Sequence, residues 1–135
     1  MGPRRLICHH LGHAEAAFEA AARHRRALML LTPAGAAGYG GPAYFQAMFD
    51  RAHATHPAAR TICVLDCGDD AAMALFALDS GWQALLLRGH PAARRRVASI
   101  ARQRGVTLYQ APPPAIDLAF EADPSAAIAC ALGIG

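Results

Sequence analysis

The chain has 135 residues, 54% of them hydrophobic and only 17% charged, with a formal net charge of +3. That length fits one domain with a core of its own, and the composition excludes a disordered chain. No apolar run reaches the roughly 20 residues needed to cross a bilayer, and so mild a positive charge does not imply nucleic acid.

Five apolar runs alternate with amphipathic segments. Leu6-Ile7-Cys8 comes first, and the segment after it places Ala14, Ala17, Phe18, Ala21 and Ala22 on one helical face. Ala27 to Leu31 is the second run. A glycine-rich loop, Gly35-Ala-Ala-Gly-Tyr-Gly-Gly, follows it. Pro42 then opens a helix with Phe45, Met48, Phe49 and Ala52 as its apolar stripe and His56-Pro57 at its end. Thr61-Ile-Cys-Val-Leu-Asp is the third run, a buried strand without charge until Asp66 that stops at Cys67-Gly68. Asp69 and Asp70 suit the opening of a helix that carries Ala72, Leu75 and Phe76 and closes at Gly81.

Trp82 to Leu87 is the fourth run. Pro91 opens a helix with Ala93, Val97, Ile100 and Ala101 inward and Arg94, Arg95 and Arg102 outward, and Gly105 stops it. Val106 to Tyr109 is the fifth run. Pro112-Pro-Pro breaks the pattern, and Asp123-Pro124 marks the cap and first turn of a last short helix ending at Gly133.

Strand, helix, strand, helix without long linkers requires parallel strands joined by crossovers. The fold class is therefore α/β, a parallel five-stranded sheet of βα repeats. Half of a (β/α)8 barrel and a flavodoxin-like open sheet both satisfy the pattern. We expect a βα-repeat domain over residues 1–111. Over 112–135 we expect a proline linker and a short helical tail packed on that domain or on a partner. Unpaired strand edges and the apolar stretch Ala126 to Leu132 predict a homodimer or higher oligomer. Met1-Gly-Pro-Arg-Arg-Leu-Ile-Cys lacks the long apolar segment of a signal peptide, so a cytoplasmic protein is expected.

All thirteen basic residues are arginine, which excludes a lysine Schiff base and a phosphate-binding P-loop. Cys8, Cys63, Cys67 and Cys130 are too spread for a disulfide scaffold, and no CxxC pair offers a structural zinc site.

In parallel α/β folds ligands bind where strands end, and the polar residues gather there. The first run ends in Cys8-His9-His10, with His13 a little beyond. The second ends in Thr32-Pro33, before the glycine loop that carries Tyr39; the third in Asp66-Cys67; the fourth in Arg88-Gly89-His90; the fifth in Tyr109-Gln110. Asp66 follows four apolar residues, so its burial has a cost that a site would justify; a helix cap is the other role open to it. Cys67, beside a helix start, has conditions that favour thiolate, and it also suits plain packing. Arg88 precedes a helix opening at Pro91 and is placed to receive an anion. Arg94-Arg95-Arg96 reads as a solvated helix face. The catalytic candidate is Asp66, and the substrate-binding candidates are Thr32, Tyr39, Arg88, Gly89 and His90.

The order of these motifs resembles class II, zinc-dependent fructose-bisphosphate and tagatose-bisphosphate aldolases, from about His13 to Tyr109, the first half of their barrel. Ala14-Glu-Ala-Ala-Phe-Glu-Ala-Ala is similar to their first helix. Leu30-Leu-Thr-Pro-Ala-Gly-Ala-Ala-Gly-Tyr-Gly-Gly resembles their second strand and its loop. Val64-Leu-Asp-Cys-Gly-Asp resembles their Leu-Asp-His-Gly motif, and Asp79-Ser-Gly-Trp-Gln-Ala-Leu-Leu-Leu-Arg-Gly-His the segment that follows it. Ile100-Ala-Arg-Gln-Arg-Gly-Val-Thr-Leu is similar to their helix and fifth strand.

The resemblance implies that Asp66 is the acid/base and puts Cys67 where the family has a zinc-binding histidine. Cys67 with His9 and His10 would then be the zinc set. Arg88 stands where the family has aspartate, the glutamate expected near Ala111 is missing, and the other zinc histidines and phosphate site have no counterpart here. The expected function is binding of a small metabolite, phosphorylated or carrying a carbonyl, on an aldolase-like half-barrel. Any chemistry would be residual and lyase-like, through Asp66, without cleavage of ketose bisphosphates. A non-catalytic regulatory or structural subunit acting through protein contacts is the alternative. Neither nucleic acid nor membrane is an expected partner.

Overall fold

The computed structural model describes residues 4–134, and each of the five apolar runs contains a strand. These are β1 (Arg4–Ile7), β2 (Leu28–Leu31), β3 (Thr61–Asp66), β4 (Ala84–Leu86) and β5 (Thr107–Tyr109). Between and after them lie α1 (Leu11–His24), α2 (Ala36–Tyr39), α3 (Pro42–Thr55), α4 (Ala71–Asp79), α5 (Pro91–Gln103) and α6 (Pro124–Ala131). α4, α5 and α6 begin on side-chain caps. Asp70 accepts from the Met73 N–H at 3.0 Å, His90 from Ala92 at 3.1 Å and Asp123 from Ala126 at 3.1 Å.

The sheet is parallel and open, and it has six strands rather than five, in the order β5-β4-β3-β2-β1-β6. The extra strand, β6 (Ile116–Asp117), pairs Ile116 with Leu6 and Asp117 with Ile7. It lies in the stretch taken for a linker. Two residues after a proline triplet are too few to show an alternation.

The chain divides into two compact units. One comprises Met1–Leu31, Ala47–Cys63 and Pro113–Gly135. Here β1 pairs with β2, Arg4 opposite Leu28 through Ile7 opposite Leu31. Ala14, Ala17, Phe18 and Ala21 of α1 are buried, the small side chains letting the helix lie close to its neighbours. Phe18 meets Phe49 of α3 at 6.4 Å between ring centroids. The tail packs on its own unit: α6 lies against α1, Ile128 is wholly buried, and Arg26 Nη1 donates to the Leu132 carbonyl at 3.4 Å.

The other unit comprises Thr32–Gln46 and Val64–Pro112. Leu65 pairs with Leu85 and Asp66 with Leu86, while Leu85 pairs with Leu108. Every residue of β4 is buried, as an uncharged run requires. The Trp82 indole N–H donates to the Pro42 carbonyl at 3.3 Å. In α4 exposure varies along an almost wholly apolar helix. Ala74, Ala77 and Leu78 are buried, whereas Ala72 and Phe76 are exposed. All residues of this helix but Asp79 are apolar, so no stripe marks its inner face. Among the described residues no helix is long and apolar enough to cross a membrane.

Candidate functional site

Asp66 closes β3 and is 4% exposed. Its carboxylate is held from two sides: Oδ1 accepts the Gly68 N–H at 2.8 Å and Arg88 Nη2–H at 3.3 Å. Its own backbone N–H donates to Thr32 Oγ1 at 2.9 Å. Asp66 is therefore no helix cap; Asp70 has that task. The turn that brings Gly68 back to Asp66 puts Gly68 at φ 61°, the left-handed region that glycine adopts without strain. The Arg88 backbone N–H then donates to the Gly68 carbonyl at 2.7 Å, tying the loop after β4 to the loop after β3.

The Arg88 side chain is 38% exposed against 5% for Asp66. The long single contact between them leaves most guanidinium N–H groups free to meet a ligand. Gly89 sits at φ 107°, where a Cβ would also approach Asp69 Cβ to 3.1 Å. Tyr39 of α2 is 68% exposed and stands edge-on to Phe45. Desolvation of its hydroxyl, with a contribution from the charge on Asp66, raises its pKa above the ordinary phenol value. Thr32 is buried, its hydroxyl engaged by the Asp66 backbone, so it positions Asp66 rather than offering itself to a ligand. The ring of His90 is turned back to cap α5 through Nδ1.

Cys67 is 3% exposed, and its N–H donates to the Leu86 carbonyl at 2.8 Å. Burial, and after it the charges of Asp66 and Asp70, push the thiol up to about 12. Of the two roles the sequence leaves open to Cys67, burial favours plain packing over thiolate.

In the unit that contains β1, the histidines form a separate cluster. His9 Nε2 lies 2.6 Å from Asp117 Oδ1, and the His9 backbone N–H donates to His13 Nδ1 at 3.0 Å. The rings of His10 and His13 are 3.8 Å apart between centroids. His13 is 5% exposed, and burial, followed by its neighbours His10 and His9, holds it below the ordinary imidazole range. His13 was visible in the sequence only as a residue just beyond the pair. Asp117 was missed, since its signal is a two-residue strand behind three prolines. Among the described residues no group of three or more His, Cys, Asp or Glu side chains is placed to hold a metal ion. With Cys67 buried and His9 turned to Asp117, the expected zinc set is not assembled among the described residues.

No protein-family model matches this chain and no curated protein matches it. The aldolase likeness therefore rests on the motifs alone.

Proposed function

We propose that the chain binds a small anionic metabolite, phosphorylated or carrying a carbonyl, at the strand ends around Asp66, and that the protein works in the cytoplasm. The observation that supports this is the buried Asp66 carboxylate holding a half-exposed Arg88 through one 3.3 Å contact. A phosphate or carboxylate would take the remaining Arg88 donors as a fork, with the exposed Tyr39 ring to cover it. Drawn toward that anion, Arg88 would leave Asp66 free to move a proton. In a lyase step Asp66 would accept the proton of a ligand hydroxyl. That carbon becomes a carbonyl as its C–C bond breaks, and the bond electrons pass to the neighbouring carbonyl as an enolate facing Arg88. No step runs through zinc.

Calorimetric titration with inorganic phosphate and with phosphorylated ketoses and aldoses tests this. Loss of one charge-assisted hydrogen bond costs about 1.5–3 kcal/mol, so Arg88→Ala should weaken binding at least tenfold. Asp66→Asn should keep binding and abolish any turnover. Binding that Arg88→Ala leaves unchanged would refute the proposal. The second reading, a subunit acting through protein contacts, is favoured by one observation: Phe120, in the short 3-10 turn after β6, is 86% exposed.

A further inference from the structure

β1 and β6 end side by side, and what stands there is a histidine held by a carboxylate. Ile7 pairs with Asp117, so their side chains share a face of the sheet, and His9, two residues on, returns to it. Asp117 Oδ1 accepts both the Ala119 N–H at 3.0 Å and the His9 ring at 2.6 Å. A carboxylate oxygen only accepts, so the nitrogen facing it is Nε2–H, and in the neutral ring the lone pair is then on Nδ1. Among the described residues no hydrogen bond engages His9 Nδ1, and the His9 side chain is 31% exposed. The backbone is fixed as well, by the bond from the His9 N–H to His13. Base, orienting carboxylate and rigid support are the parts of an activated nucleophile.

Beyond His9 the chain adds no further carboxylate before α1 or in its first turn. α1 starts two residues later; its cap residue His10 makes no side-chain cap bond, and its first turn holds no acid. The His10 ring folds over Gly12, where a Cβ would sit 3.0 Å from His10 Cε1, and stacks on His13.

We propose that His9 accepts a phosphoryl group on Nδ1. The Nδ1 lone pair attacks phosphorus, and the bond from phosphorus to the leaving group breaks with its electron pair going to that group. The ring keeps its Nε2 proton, and Asp117 stabilises the resulting phosphoimidazolium. With phosphoramidate as donor the leaving group is ammonia, and charge and protons balance. This site is independent of Asp66.

The test is phosphoramidate treatment of the full chain, with the modified histidines mapped and their isomers assigned by phosphorus–proton correlation NMR. Freely exposed imidazoles settle on Nε2; His9 is expected to carry the group on Nδ1, acid-labile and lost in His9→Gln. In Asp117→Ala the freed ring should be modified on Nε2 instead. Modification of His9 at Nε2 in the parent, no modification of His9 while other histidines react, or an unchanged isomer in Asp117→Ala would overturn the proposal. Should Asp117→Ala not fold, long-range nitrogen–proton NMR of the parent decides: an Nε2–H tautomer at His9 supports it, and Nδ1–H overturns it.

Discussion

At the scale of single residues, Thr32 and the thiols carry the sharpest expectations. Thr32→Val keeps the shape but leaves the buried Asp66 N–H without its 2.9 Å partner, which costs about 1–3 kcal/mol. A urea melt should show that loss, and a melt unchanged within half a kcal/mol would show that the bond contributes nothing. For the thiols the sign follows from burial. Cys63 and Cys67 are pushed from the ordinary 9.0 up to about 12, and Cys8 is raised further. Above pH 9 the unfolded chain releases these protons while the folded one keeps them, so stability is full below pH 9 and falls as pH rises toward 12. Melting temperature against pH should show the decline, shallower in Cys67→Ala. At neutral pH a maleimide should label the exposed Cys130 and spare Cys8 and Cys67. Asp66 was legible as a special carboxylate because four apolar residues precede it. Its partners were not: Thr32 and Arg88 lie 34 and 22 positions away, and only the sheet brings them to it.

At the scale of elements, what the sequence marks by chemistry is found and what it marks by periodicity alone is less secure. Pro42, Pro91 and Asp123-Pro124 opened α3, α5 and α6 where expected. The stripe of α3 also holds, with Phe45, Met48, Phe49 and Ala52 all buried. The face of α4 was illegible because nearly every residue in it is apolar, and β6 because it is two residues long. For α4 the adjacent acids separate cleanly. Asp70→Ala removes the acceptor for Met73 N–H and should cost about 1 kcal/mol in a denaturant melt. Asp69→Ala, at an exposed position outside the helix, should stay within about 0.5 kcal/mol. Equal losses in the two variants would show that charge near the helix start, rather than the cap bond, does the stabilising.

At the scale of the whole molecule, among the described residues the sheet ends in β5 and β6, each paired on one side only. Exposed strand edges invite pairing with another chain, and proteins shorten or cover them for that reason. Both ends here are short, three and two residues. The apolar tail no longer argues for a partner, since Ile128 and Leu132 bury themselves within their own unit. Among the described residues the most exposed large apolar side chain is Phe120, three residues past Asp117 and 86% exposed, with Ile134 40% exposed in the same unit. A phenyl ring left in water at the end of an edge strand forgoes about 1.5–3 kcal/mol that burial would supply. We therefore expect self-association through the β6 edge, with Phe120 at its centre. Light scattering of the parent at micromolar concentration should show a dimer or larger species, and Phe120→Glu should return it to a monomer that still melts cooperatively, at a temperature no longer dependent on concentration. A parent that is already monomeric at that concentration, or a Phe120→Glu variant that stays associated, would place the contact elsewhere or remove it.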